Sequence, residues 1–272
     1  MKKITSFKDR VVVITGAASG MGRAYALAFA KQGSHLALCD YDEEGLGETI
    51  SLLPESQKVF AQAFDISDEQ AVFEFADQVK QHLGQAFMLV NNAGVEGSGE
   101  PVWATEQSYF KRVMDVNYYG VIHGTRAFLS DMLANNQGVI VNVSSIFGLT
   151  GTPNHADYCG SKFAVRGFTE ALMVELSASD IQVHLLHPGG IRTNIVRHEH
   201  ARDFSQNFLT TEPEDIAEHL IKSVKKNKPR IVYGNNAIKV WLASKLLPLP
   251  LVCAMVWSEM KKVIDLRAYK YK

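Results

Sequence analysis

The stretch RVVVITG, residues 10–16, constrains the fold more than any other. It is a run of β-branched side chains with no polar alternation, and it stops at a glycine. Such a strand must be buried on both faces, the situation of a central strand in a parallel sheet covered by helices on each side. A second strand of that sheet needs a crossover, and the residues that follow supply one. MGRAYALAFAKQG, 21–33, is rich in alanine and closed by Gly33, which reads as a helix with its stop.

The alternation continues through the chain. Strands are expected at 35–40, 58–65, 86–94, 138–145, 181–190 and 230–234, with helices at 43–53, 68–84, 116–135, 156–179 and 211–227. The helix at 43–53 is weakened by two glycines. The helix at 211–227 is expected to start on a capping threonine, Thr211, with Pro213 and acids in its first turn. Strand–helix alternation of this kind predicts an α/β fold: one doubly wound, Rossmann-like parallel sheet with helices on both faces. No repeat or low-complexity linker divides the chain. Residues 1–234 are therefore assigned to one nucleotide-binding and catalytic domain, and 235–272 to a helical extension of it.

Charge excludes some functions. Lys and Arg number 28 against 29 Asp and Glu, and no basic block occurs in the first two hundred residues, so nucleic acid is not an expected partner. The three cysteines, at 39, 159 and 253, have neither metal nor CxxC spacing and read as reduced thiols of a cytoplasmic protein. The opening MKKITSFKDR does not read as a signal peptide. His198, Glu199 and His200 lack the spacing of a zinc site, so no metal is expected.

The turn TGAASGMG, 15–22, joins the first strand to the first helix. Its glycines, Gly16, Gly20 and Gly22, let backbone approach a ligand closely, and the helix that follows offers free N–H groups and a positive dipole end to a pyrophosphate. The spacing is G-x-x-x-G-x-G. The second strand ends at Asp40, about twenty residues on, where a carboxylate accepts hydrogen bonds from ribose hydroxyls. That carboxylate repels a 2′-phosphate, and no cation stands at Ser19 or Tyr41. NAD(H) is therefore favoured over NADP(H).

Tyr158 and Lys162 lie one helical turn apart on one face of the helix at 156–179. Together with Thr15–Gly22, NNAG at 91–94, VNYYG at 116–120, VNVSS at 141–145 and HPGGIRT at 187–193, they resemble the short-chain dehydrogenase/reductase family in order and separation. The resemblance implies about seven strands and a set of roles. Tyr158 would be the general acid/base, and Lys162 would tune it and bind the nicotinamide ribose. Ser145, rather than Ser144, would hydrogen-bond the reacting oxygen, and Asn117 would hold a water linking Lys162 to solvent. Gly16, Ser19, Gly20, Met21, Gly22 and Asp40 would hold the pyrophosphate and ribose, Asp65 and Ile66 the adenine. Asn91, Asn92, Ala93 and Gly94 would pass beneath the ribose, although Asn91 reads equally well as a clamp between strands. Pro188, Gly189, Ile191 and Thr193 would meet the nicotinamide side.

The chemistry is consistent with these assignments. A free tyrosine titrates near pH ~10 and is a poor base at neutral pH. A nearby ammonium and nicotinamide cation favour its phenolate.

The implied activity is an NAD(H)-dependent interconversion of an alcohol and its ketone or aldehyde. Alternatives on the same fold are an NADPH-dependent 3-oxoacyl reductase and a non-catalytic nucleotide-binding sensor. Phe147, Leu149, His155, Gly190, Ile191 and Val196 are expected around the substrate, and their apolar character points to a lipophilic small molecule. The tail resembles that of family members acting on lipophilic alcohols. Its uncharged run, 246–258, spans 13 residues and contains Pro248 and Pro250, too short to cross a bilayer. Packing on the body or a partner is favoured over peripheral membrane contact. A homodimer or homotetramer is expected through the helices at 116–135 and 156–179.

Replacing Asp40 with alanine is expected to narrow the preference for NAD over NADP by about tenfold, some 1.4 kcal/mol. Calorimetric titration with both nucleotides measures the ratio, and an unchanged ratio clears Asp40 of the role.

Overall fold

The computed structural model describes residues 3–193 and 207–269. The buried run forms β1 (Val11–Thr15), flanked in parallel by β2 (His35–Asp40) on one side and β4 (Ala86–Asn91) on the other. With β3 (Val59–Ala63), β5 (Gly138–Val143), β6 (Ile181–Pro188) and β7 (Arg230–Tyr233), the described residues form one seven-stranded parallel sheet in the order β3-β2-β1-β4-β5-β6-β7. The direction of winding reverses between β1 and β4. That reversal opens a crevice at the carboxyl ends of the strands, where ligands bind in sheets of this kind.

Helices α1 (Gly20–Lys31), α2 (Glu43–Ser51), α3 (Glu69–Leu83), α4 (Gln107–Met114), α5 (Gly120–Ala134), α6 (Ala156–Glu175) and α7 (Pro213–Lys225) provide the crossovers and cover. The pleat divides β1 between two cores. Val12 and Ile14 join Phe29, Leu36, Met88 and Leu220 on one face, while Val11 and Val13 join Phe75, Leu89, Phe128 and Ile140 on the other. Each such side chain, fully buried, contributes about 1.5–3 kcal/mol. Asp42 and Asp68 cap α2 and α3, accepting from Gly45 N at 3.0 Å and Ala71 N at 3.2 Å.

The structure corrects three local expectations. The helix expected from 116 starts at Gln107, and α4 runs into α5 through a π-helical turn, Asp115–Tyr119, that carries Asn117. The apolar period breaks at the extra residue of that turn, which hid α4. Thr211 does not cap α7. Glu212 stands at the cap position without a side-chain capping bond, and Thr211 Oγ1 accepts instead from Asn235 N at 2.9 Å. The sixth strand stops at Pro188, and Gly190 is reached only by an isolated bridge to Asn235.

Asn91 is the clamp between strands. Buried at the end of β4, its amide donates to Asn142 Oδ1 (2.9 Å) on β5 and to Thr125 Oγ1 (3.1 Å) and Val121 O (3.3 Å) on α5. Asn142 in turn donates to Thr169 Oγ1 on α6 at 3.1 Å. A buried polar chain thus ties two central strands to two helices.

The tail forms a hairpin of α8 (Ala237–Leu246) and α9 (Leu249–Met260). It breaks at Leu247, which is extended (φ −102°, ψ 144°), as the residue before a proline prefers. Among the described residues, no helix is long and apolar enough to cross a membrane.

Asn91→Ala is expected to lower stability by about 2–3 kcal/mol, because it leaves buried partners unpaired. Chemical unfolding checks the loss. Nucleotide affinity is expected to stay within about threefold of the parent; a larger fall would show that Asn91 serves the ligand directly.

Candidate active site

Two cavities meet at the carboxyl ends of β1 and β4. The smaller, about 200 Å³, is bordered by the turn after β1, by Asp40, and by Asp65, Ile66 and Ala93. The turn is tight: a Cβ on Gly22 would lie 1.8 Å from Gly16 O, so only glycine allows α1 to start there. Asn92 holds the turn from below, its amide donating to Thr15 O at 2.9 Å and Gly16 O at 3.3 Å. Thr15 Oγ1 accepts from the N–H groups of Asn92 (3.0 Å) and Ala93 (2.9 Å). Asp40 closes the far side, accepting from Ala18 N at 2.9 Å and Asp42 N at 3.1 Å.

This cavity fits a dinucleotide. Ser19 does not cap α1 and no acid stands in its first turn, so the helix N-terminus keeps its amides and positive end for phosphate. Asn92 Oδ1 is buried without a partner among the described residues and borders both cavities, an acceptor suited to a ligand hydroxyl. Asp65 is pinned by Ser67 and by an ion pair to Arg112 Nη1 at 2.8 Å. Burial opposes its ionisation, but those partners prevail and hold its carboxyl below the usual range.

The larger cavity, about 440 Å³, brings together Ser145, Tyr158 and Lys162 with Phe147, His155, Pro188, Gly189, Gly190 and Ile191. The two serines separate clearly. Ser144 Oγ donates to Lys162 O at 2.8 Å and is buried, whereas Ser145 sits beside the Tyr158 phenol and its Oγ accepts from Phe147 N at 3.1 Å. Lys162 Nζ lies 5.5 Å from the centre of the Tyr158 ring and donates to Val143 O at 3.2 Å. Asn117 is fully buried behind the cavity walls. Its amide donates to Val95 O (3.0 Å) and Ser161 Oγ (3.2 Å), and its Oδ1 accepts from Val95 N (2.8 Å).

The protein environment disfavours charge here. Burial pushes the Tyr158 phenol above its ordinary value; the Ser145 hydroxyl opposes that rise and the Glu96 carboxylate adds to it. Burial alone draws Lys162 down to about 8. The expected lowering of the tyrosine by the ammonium and a nicotinamide cation together concerns the site with nucleotide bound; in the protein alone burial dominates the phenol.

Leu149, expected in the wall, is buried outside it. Val196 and the His198–His200 segment lie outside the described residues. Among the described residues, no group of three His, Cys, Asp or Glu could hold a metal.

Two contributions were not read from the sequence. Asp157, buried beside Tyr158, accepts from Tyr158 N and Ser98 N, both at 2.7 Å, and so ties α6 to the loop after β4. His187 Nδ1 pairs with Ser145 O at 2.8 Å, and burial draws His187 down to about 4, which keeps it neutral. Val240, Ala243, Val252 and Val256 of the tail hairpin complete the cavity wall. The tail's uncharged run had signalled packing on the body, whereas Asp157 and His187 gave no signal.

The model of the family described as short chain dehydrogenase matches residues 10–203. The chain belongs to this family. It is an oxidoreductase acting on CH–OH groups with a nicotinamide cofactor. It is 37% identical over 257 residues to a putative oxidoreductase, SadH, of Mycobacterium tuberculosis, covering 90% of this chain and 93% of the other. It is 34% identical over 246 residues to human epidermal retinol dehydrogenase 2, covering 86% and 79%. A short-chain dehydrogenase/reductase from Burkholderia phymatum, solved in complex with NAD, superposes with a TM-score of 0.79 at 29% identity, covering 96% and 98%.

Lys162→Met is expected to stabilise the ligand-free protein by about 1–2 kcal/mol at pH 7, since a buried ammonium drawn to about 8 from 10.5 carries a desolvation cost. Between those values the unfolded chain binds more protons, so the parent gains stability as pH rises through them. Thermal melts should show the variant's advantage at pH 7 and little of it above pH ~10.5.

Proposed function

We propose that the chain interconverts a lipophilic alcohol and its carbonyl with NAD(H), Tyr158 moving the proton. The observation that carries this reading is the meeting of Tyr158, Ser145 and Lys162 in a largely apolar cavity that adjoins the glycine turn and Asp40. Bound NAD would supply the hydride acceptor and a positive charge beside the phenol. Gly16, Ser19, Gly20 and Met21 would hold its pyrophosphate, Asp40 its ribose and Lys162 the second ribose.

In the oxidation direction Tyr158, as the phenolate that the positive charge of bound NAD would favour, takes the proton of the substrate hydroxyl. Ser145 Oγ accepts from Phe147 N and pairs with the Tyr158 phenol, which sets its O–H where it would donate to the substrate oxygen. His187, neutral and paired with Ser145 O, braces that residue from behind. Burial of Lys162 makes its charge more effective in a site that excludes water.

Preference for NAD is supported by Asp40 and by the commitment of the cation near the turn. Arg23 is held by Ala18 O, Thr49 Oγ1 and Glu48. Lipophilic substrates are supported by the walls contributed by Phe147, Ile191, Val240 and Val252, and by the likeness to a retinol dehydrogenase. Exposed Tyr119, Phe163 and Val174 on the α4–α5 and α6 elements support a homodimer through those helices. Buried Ala237, Val252 and Met260 support reading 235–272 as part of the same domain. Free Cys39, Cys159 and Cys253 support a reducing, cytoplasmic setting.

Tyr158→Phe is expected to lose turnover by about 10³-fold or more while NADH affinity holds, as calorimetry and steady-state rates would show. Phe147→Ser is expected to raise KM for long-chain alcohols selectively in a panel graded by length. Equal losses for short and long substrates would remove Phe147 from the pocket reading.

A further inference from the structure

The tail hairpin has a second face. Toward the body it gives Val240, Ala243, Val252 and Val256 to the cavity. Away from the body it exposes a run of large apolar side chains. Leu246 is 74% exposed, Leu249 72% and Leu251 55%, with Ile238 and Leu242 also open. Residues 246–251 read LLPLPL, and all six are exposed. Their transfer out of water would be favourable, and nothing within the described chain covers them.

Charge narrows the choice of cover. Residues 235–272 hold seven Lys and Arg against two acids, Glu259 and Asp265. The tail thus carries +5 on a chain whose total is −1, which leaves −6 on the preceding residues. Lys239, Lys245, Lys261 and Lys262 bracket the apolar hairpin. A symmetric pairing of two copies through this face would set two basic tails against each other. An anionic bilayer surface answers both features, taking leucines into its interface and lysines among its headgroups. Trp257 and Trp103 add amphipathic rings at the edge, both in contact with Tyr269, at 5.1 and 5.3 Å between ring centres.

We infer that the α8–α9 hairpin docks on an anionic lipid bilayer, with the loop from Leu246 to Leu251 inserted at the interface. The inference rests on exposure and charge and holds whatever substrate the cavity takes. The element that docks is also the cavity wall, so docking would place the substrate cavity at the lipid surface.

The test is flotation of the 272-residue chain with vesicles of phosphatidylcholine alone and of phosphatidylcholine with phosphatidylglycerol. The comparison is the triple variant Leu246→Asp, Leu249→Asp, Leu251→Asp, whose positions are exposed and outside the cavity wall. The parent is expected to float with anionic vesicles at least tenfold more than with neutral ones, and less as salt rises. The variant is expected to lose that binding while oxidising a short soluble alcohol at the parent rate, a readout that tests the proposed activity separately. Sedimentation without vesicles fixes the oligomeric state of both. Failure of the parent to bind anionic vesicles, or equal binding by the variant, overturns the inference. So does a parent dimer that the variant dissociates, which would assign the hairpin to a second copy of the chain.

Discussion

The structure depends on how closely the backbone after β1 approaches the end of β4. Thr15 Oγ1 receives the amides of Asn92 and Ala93, and Asn92 returns its own amide to Thr15 O and Gly16 O. These four bonds set the width of the crevice at the reversal of the sheet. They also explain why α1 can start where it does, with Gly22 against Gly16 O. Lengthening that approach by one side chain would move the helix N-terminus away from the position in which it can meet a pyrophosphate. Asp40 bonds the same turn from β2, so three strands converge on one loop.

Much of this was legible because it rests on short-range rules. The continuous apolar run of β1 demands burial on both faces, and the glycine turn demands close approach. Ser145, Tyr158 and Lys162 stand out through the resemblance to the family, and the fold brings them to one cavity. The sequence was silent where a residue acts through packing at long range. Asp157 looks like any first-turn acid, yet it holds Ser98 from a loop 59 residues away. His187 looked like part of a turn motif and turned out to be a neutral brace. The π-helical turn at 115–119 broke the period that reveals a helix, and α4 disappeared with it. Asn91 left two readings open, since neither its spacing nor its chemistry distinguishes a ligand contact from a clamp; its partners decide in favour of the clamp.

The site is also a place where folding and chemistry compete. A buried ammonium and a buried phenol are both pushed toward neutrality by the same apolar surroundings. A chain selected for stability alone would place hydrocarbon at 162. The proposed chemistry requires the charge, and the sheet and helices around it would carry the cost.

The order of parts along the chain has a consequence for inheritance. The residues proposed to hold the nucleotide lie before β7, whereas Val240, Ala243, Val252 and Val256 of the cavity wall follow the last strand of the sheet. Substitutions confined to the residues after β7 could therefore reshape that wall without disturbing the sheet or the turn.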